Sequence, residues 1–230
     1  MEKGVMIAIA VALLVGLACQ AVFIEKDYTK SWLPAVILKG TASLIFAGLG
    51  IFGAIYTGES FLAVMVCTGL IFGAIGDIIL NMRYFFPKKD SLMFICGALV
   101  FFMGHVFYMC AYLSRVSGIL WGIIAGVVIT ILLDIYFSPK LDLAEGMKIG
   151  ATIYVGFIVI LSCIAVIGAI ERRLTGDVIQ MIGTILFTVS DIILIYYNFG
   201  KDKRRRWHTI ILSTYYVGQV LIALRLFFPQ

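Results

Sequence analysis

The feature that most constrains this chain is a series of apolar stretches, each about twenty residues long, that recurs along its whole length. There are eight, in chain order about 4–24, 33–55, 61–82, 92–113, 117–137, 147–170, 177–198 and 208–228. A helix of roughly twenty apolar residues spans a hydrocarbon core of about 30 Å. Only 13% of the residues are charged, against about 25% in typical soluble domains. The pattern therefore predicts an all-α fold: one polytopic membrane domain, residues 1–230, with eight transmembrane helices.

Basic residues are concentrated in the loops that follow the first, third, fifth and seventh stretches. These loops hold twelve Lys and Arg residues against four on the other side, and they include the run from Lys201 to Arg206. Such an excess marks cytoplasmic loops. We therefore predict that the basic loops face the cytoplasm and that both termini lie opposite, in a bacterial inner membrane or an endoplasmic reticulum. Anionic lipid accounts for the basic run, so no nucleic-acid partner is expected.

Two aspartates lie inside apolar stretches, in near-copies of one phrase. Asp77 belongs to the segment 69–80, Asp191 belongs to 183–194, and six of the twelve positions match without a gap. A charged side chain at the centre of a membrane helix costs about 2.5 to 3.5 kcal/mol on insertion scales. Two carboxylates in duplicated settings therefore indicate a function.

The same offset of 114 residues relates a second pair of segments, in which residues 101–106 match 215–220. In that alignment Gly104 falls on Gly218 and His105 falls on Gln219. The sequence thus predicts two parallel four-helix repeats, residues 1–114 and 115–230. Repeats of this kind often place a working site where they meet, near the middle of the membrane.

Several polar side chains are predicted to share one depth in the cytoplasmic half. We expect Asp77, His105 and Asp191 to be catalytic and to line one cavity. His105, Tyr108 and Tyr112 follow the i, i+3, i+7 spacing of a single helix face. Asp134 is expected to be structural, and Arg225 to extend outward to the membrane surface. The supporting residues that we predict are Lys39, Tyr108, Tyr154, Ser190, Tyr215, Tyr216 and Gln219.

Other catalytic patterns are absent from the sequence. The chain has two histidines, whereas zinc hydrolases usually need three imidazole or carboxylate ligands. There is no HExxH, no GxSxG, no P-loop and no GxGxxG. Ser190 directly precedes Asp191, so a Ser-His-Asp triad would need another serine. What remains is an acid–base set of Asp, His, Lys and Tyr, for which no metal and no cofactor is expected.

Three motifs give the chain a resemblance to a known family. The pair Gly76-Asp77, the pattern Gly104-His105-x-x-Tyr108 and the pair Ser190-Asp191 resemble those of the YhhN-like lysoplasmalogenase family. The tyrosines at the start of the last stretch, Gln219, the chain length and the eight spans fit as well. One departure is that Lys39 is followed by Gly40, where the family tends to have Pro.

The resemblance implies hydrolysis of the vinyl-ether bond of lysoplasmalogen, giving a fatty aldehyde and glycerophosphoethanolamine or glycerophosphocholine. The substrate would then be a lysophospholipid within the membrane. The residues fit this chemistry, because protonation of the alkene gives an oxocarbenium ion of the kind that glycosidases handle with two carboxylates. A second hypothesis stays open: a small transporter or lipid-binding receptor with 4+4 parallel repeats, since intramembrane Asp and Lys suit proton coupling equally well.

Overall fold

Helices account for nearly all of the chain in the computed structural model, which describes residues 2–30, 32–58, 60–201 and 203–228. No β-strand occurs within these ranges, and eight of their helices are long and apolar enough to cross a membrane. The predicted all-α class and the eight spans are confirmed. The chain is an integral, multi-pass membrane protein.

The chain divides into two compact units, Met1–Tyr108 and Met109–Gln230. In the first unit α1 packs against α2, and α2 packs against α3. A side-chain cap fixes the start of α3, because the Ser60 hydroxyl accepts the Ala63 N–H at 3.1 Å. The helices that begin in this unit are α1 Lys3–Tyr28, α2 Trp32–Thr57, α3 Phe61–Met82 and α4 Asp90–Leu113.

Helices α3 and α4 approach each other where both carry glycine. A Cβ on Gly104 would lie 3.0 Å from the carbonyl oxygen of Gly69 and 3.7 Å from the backbone nitrogen of Gly73. The Tyr108 ring occupies the space that a side chain on Gly69 would need. Small residues let membrane helices pack backbone to backbone, and here they hold the helix of Asp77 against the helix of His105.

The second unit begins in the last turn of α4 and continues through four further helices. Successive helices pack in order, α5 on α6, α6 on α7 and α7 on α8. Helix α6 ends where Arg173 adopts a left-handed backbone conformation with φ of 53°. The helices of this unit are α5 Ile119–Phe137, α6 Glu145–Arg172, α7 Thr175–Phe199 and α8 Arg205–Leu224.

The contact between α7 and α8 repeats the contact between α3 and α4. A Cβ on Gly218 would lie 2.8 Å from the carbonyl oxygen of Gly183 and 3.0 Å from the nitrogen of Phe187. These three positions are those of Gly104, Gly69 and Gly73 shifted by 114 residues. The two contacts share this geometry, and the division into two parallel four-helix repeats stays a prediction. The first unit ends at Tyr108, six residues before the predicted boundary at 114.

Large apolar side chains point outward along the helices. On α5 the buried residues are Gly122 and Gly126, whereas Leu120, Trp121 and Leu132 are exposed. Such a surface would aggregate in water and suits a hydrocarbon solvent. Several helices run a few residues past the predicted stretches, as α6 does at both ends, whereas α5 begins two residues later and α8 ends four residues earlier than predicted.

Candidate functional site

A buried ion pair lies between α2 and α3 of the first unit. The Lys39 ammonium is 3.2 Å from one oxygen of the Asp77 carboxylate. The Ser43 hydroxyl donates to the other oxygen at 2.5 Å. Lys39 and Ser43 are four residues apart and thus share a face of α2, so one helix supplies both partners. Both charges are removed from water, which makes each of them dependent on the other.

Further polar groups surround this pair. Asn81 lies one turn beyond Asp77 on α3 and is buried, and its side-chain nitrogen has no hydrogen-bond partner among the described residues. Asp27 of α1 lies within electrostatic reach of Lys39. Outside the spans, burial raises the pKa of the Tyr84 phenol, and the Asp27 carboxylate raises that pKa further. The first unit therefore holds a polar cluster larger than the sequence indicated.

The carboxylate of the second unit has a different partner. The Tyr154 hydroxyl of α6 donates to Asp191 of α7, and Asp191 is buried whereas Tyr154 is half-buried. At an offset of 114 residues, the position that matches Lys39 is residue 153. Tyr154 thus stands one residue beyond the counterpart of Lys39. The duplicated aspartates are held by an ammonium and a hydroxyl in one unit and by a phenol in the other.

The other residues predicted for the site in the second unit are also buried. Ser190 lies next to Asp191 in the chain, and the rest lie on α8. Ser190 donates its hydroxyl proton to the Ile211 carbonyl at 2.9 Å and so joins α7 to α8. Tyr215 packs its ring 5.3 Å from the Phe187 ring. Tyr216 and Gln219 are each 1% exposed. The hydroxyl of Ser190 is thus engaged in the contact between α7 and α8.

The predicted face of α4 is buried along its length. His105, Tyr108 and Tyr112 are all inaccessible to solvent, so His105 does not face lipid. The rings of His105 and Tyr108 are 6.2 Å apart in an edge-on arrangement. Asp77 and His105 belong to the first unit, whereas Asp191 and Tyr154 belong to the second. That all of them line one cavity stays a prediction.

Asp134 faces a groove formed by α5, α6 and α7. It accepts a hydrogen bond from Thr152 at 2.5 Å. The groove has a volume of about 430 Å³, part of it open to the surroundings, and is otherwise mostly apolar, with Leu133, Val155 and Ile192 among its walls. Asp134 is partly buried and its partner is a neutral hydroxyl. This hydrogen bond links α5 to α6.

The prediction for Arg225 was wrong. Its side chain is fully buried, and the guanidinium contacts Asp177 at 3.1–3.2 Å. Arg172 reaches the other oxygen of the same carboxylate at 2.8 Å, and Arg115 lies 3.4 Å away. A buried carboxylate at the start of α7 attracts the guanidinium more strongly than the membrane surface does. The sequence analysis missed Asp177 because it stands beside the predicted end of a span, where charges are ordinary.

No group of three or more His, Cys, Asp or Glu side chains within the described ranges is placed to hold a metal ion. The polar clusters described above consist of carboxylates, amines, phenols and amides. Paired acids with different partners can give and accept protons at one pH.

Sequence comparisons identify a matching family and related proteins. The model of the YhhN family matches residues 34–226. Lysoplasmalogenase TMEM86A of Bos taurus is 31% identical over 170 residues, which make up 70% of this chain. The Homo sapiens protein of that name is 28% identical over 172 residues, also 70% of the chain. In both cases the match covers 65% of the relative's length. No solved structure matches the chain.

Proposed function

Because this chain belongs to the YhhN family, we propose that it is a lysoplasmalogenase, which hydrolyses the vinyl-ether bond of a lysoplasmalogen. The products are a fatty aldehyde and glycerophosphoethanolamine or glycerophosphocholine. The names of the bovine and human relatives support this activity. The observation that carries the proposal within the molecule is the pair of buried aspartates, one beside an ammonium and one beside a phenol.

The reaction makes two demands on a protein. A proton is added to the alkene carbon that is not bonded to oxygen, which leaves an oxocarbenium ion. Water then adds to the cationic carbon and loses a proton, and the resulting hemiacetal breaks its bond to the glycerol oxygen. The glycerol oxygen takes a proton and the carbonyl of the aldehyde forms. The first step needs a proton donor, and the cation needs a nearby negative charge.

We assign these two roles by the partners of the carboxylates. Asp77 lies 3.2 Å from the Lys39 ammonium, which favours its ionised form, so Asp77 is assigned to stabilise the cation and accept a proton from water. Asp191 is held by the neutral phenol of Tyr154, so Asp191 is assigned as proton donor. Different surroundings commonly separate the roles of two carboxylates in this way.

The remaining predicted residues support these two. His105 is proposed to orient water or to donate a proton to the glycerol oxygen. Asn81 adds a buried amide nitrogen, without a described partner, one turn from Asp77. This nitrogen is suited to bind a hydroxyl of the substrate, which is a role that the sequence analysis did not foresee.

We also propose a direction for the lipid. The carboxylates lie in the halves of α3 and α7 that lead to the basic loops. If those loops face the cytoplasm, as their charge indicates, the phosphate of the substrate rests near Arg83, Lys88 or Arg204. The alkenyl tail then extends deeper into the membrane, and the vinyl ether beside the glycerol falls at the depth of the aspartates.

The test is aldehyde release by the purified protein from a lysoplasmalogen in neutral detergent. Two control lipids carry the same headgroup and chain length, with a saturated alkyl ether or an acyl ester in place of the vinyl ether. We expect aldehyde from the vinyl ether alone, because an alkyl ether has no alkene carbon to protonate. Release of fatty acid from the ester, without aldehyde from the vinyl ether, would contradict the proposal.

A further inference from the structure

The carboxylate of Asp177 is shared by three arginine side chains. Arg115, Arg172 and Arg225 all contact it at 2.8–3.4 Å. Among the described residues these three guanidinium groups share one carboxylate, and we call the four side chains the arginine cluster. Glu171 adjoins Arg172 in the chain, but its carboxylate accepts the backbone N–H groups of residues 117 and 118 at 2.7–2.9 Å.

Uncompensated charge in a partly buried place is costly. Arg225 is fully buried, and the side chains of Arg115 and Arg172 are 14% and 29% exposed. Burial lowers the pKa of the Arg115 guanidinium and Asp177 raises it, while the nearby Arg225 and Arg172 lower it again. Arg115 and Arg172 therefore share one carboxylate among the described residues, and a further anion would relieve the repulsion between them.

Buried polar atoms without partners lie beside the cluster. Gln180 follows Asp177 by three residues on the same face of α7 and is 1% exposed, yet neither atom of its amide has a described hydrogen-bond partner. One terminal nitrogen of Arg115 is likewise buried without a partner. Buried polar groups are nearly always satisfied in native proteins, so these atoms are suited to bind a polar ligand.

The backbone at this point also favours an anion. The cluster lies at the first turn of α7, where the helix dipole attracts negative charge. Gly176 makes room for the guanidinium at this turn, because a Cβ there would lie 2.5 Å from Arg225. Planar guanidinium groups match the oxygens of phosphate with paired hydrogen bonds.

We propose that the arginine cluster binds a phosphate-type oxyanion through Arg115, Arg172 and the amide of Gln180, at the end of the second unit remote from Asp191. Fourteen residues of helix separate Asp177 from Asp191, a distance of about 21 Å along α7. In a lysoplasmalogen only about six bonds of roughly 1.5 Å separate the vinyl ether from the phosphate. The bound group is therefore not the phosphate of a lipid that reacts at Asp191, and it is either a soluble phosphate or the headgroup of a second lipid.

The experiment is thermal unfolding of the full chain in neutral detergent, with sodium phosphate or with sodium chloride at matched ionic strength. We expect phosphate to raise the midpoint by about 3 °C or more at a concentration near ten times its dissociation constant. Arg115→Gln and Gln180→Leu should each lose most of this difference. Arg206→Gln, which removes the same charge from the exposed basic run, should keep it. Arg172→Gln replaces Arg115→Gln if that variant does not fold.

A second arm separates the two sources of phosphate. The wild-type protein is placed in phosphatidylcholine nanodiscs with and without phosphatidic acid. If phosphatidic acid raises the unfolding midpoint and inorganic phosphate does not, the site binds a lipid headgroup. If both raise the midpoint, the site also binds the soluble ion. The proposal is overturned if neither phosphate nor phosphatidic acid stabilises the wild type beyond its control. It is also overturned if the Arg115 or Arg172 and Gln180 variants shift as much as the wild type.

Discussion

The Lys39 ammonium and the Asp77 carboxylate lie 3.2 Å apart, and both side chains are at least 95% buried. A buried ion pair of this kind contributes little net stability. Removal of one partner is strongly destabilising, because it leaves the other charge buried and unpaired. Lys39 thus holds a negative charge inside the membrane, at the position where the proposed reaction needs an anion beside a cationic intermediate.

Replacement of Asp77 by Asn should abolish most of the activity. We expect turnover to fall by about 10²-fold or more, the usual contribution of an acid–base group. The unfolding free energy should also fall by about 3 kcal/mol or more, because Lys39 is left without its carboxylate. Initial rates of aldehyde release and thermal unfolding of the same preparation measure the two effects.

The double variant Lys39→Met with Asp77→Asn separates these effects. Removal of both charges should restore part of the lost stability, whereas turnover should stay low. Near-normal turnover in the single Asp77→Asn variant would show that this pair has only a structural role.

The second carboxylate should be equally necessary, and its phenol partner less so. Asp191→Asn is expected to lower turnover by about 10²-fold or more. Tyr154→Phe should lower it by about tenfold, since the phenol stabilises the carboxylate that remains when Asp191 donates its proton, and a hydrogen bond to a charged group contributes about 1.5 kcal/mol. Tyr136→Phe is the matched control, because that tyrosine is 61% exposed on α5. Equal rates for the Tyr154 and Tyr136 variants would argue against the assigned role of Tyr154.

The glycine contact between α7 and α8 should be sensitive to a single methyl group. Gly183→Ala would place a Cβ 2.8 Å from the Gly218 carbonyl oxygen, so we expect a loss of about 1–3 kcal/mol in unfolding free energy. Gly150→Ala, on the open face of α6, should be neutral or stabilising by up to about 1 kcal/mol. Equal midpoints for the two variants would mean that the close helix contact is not formed.

Removal of metal ions should leave the activity intact. The described residues hold no group of three potential ligands, and the proposed steps use only carboxylates and water. The measurement is aldehyde release after treatment with a chelator. Loss of activity on chelation, restored by added zinc, would replace the acid–base mechanism with a metal-assisted one.

The sequence predicted the helices well because the membrane simplifies the pattern. Every spanning helix must be apolar along nearly its whole length, so run length alone located α1 to α8 within a few residues of their ends. The duplicated aspartates were visible for the same reason, since a charge inside an apolar run is conspicuous.

The partners of those aspartates were harder to foresee. Lys39 and Tyr154 were predicted to lie at the depth of the aspartates. Small polar residues such as Ser43 and Asn81 are too common in membrane helices to be singled out. The contact between Asp177 and Arg225 joins residues 48 positions apart. Hydropathy treats each of them as the end of a span, and only the packing of α7 against the end of α8 brings them together.

Hydrolysis in heavy water tests the central claim most directly. If a protein acid protonates the alkene carbon, the aldehyde released in D₂O carries one deuterium on the carbon next to the carbonyl group. Mass spectrometry of the trapped aldehyde should show a mass increase of about one unit relative to the product in H₂O, and Asp191→Asn should form this product at least about 10²-fold more slowly. Aldehyde without deuterium, or no aldehyde from the purified protein, would contradict the proposed function.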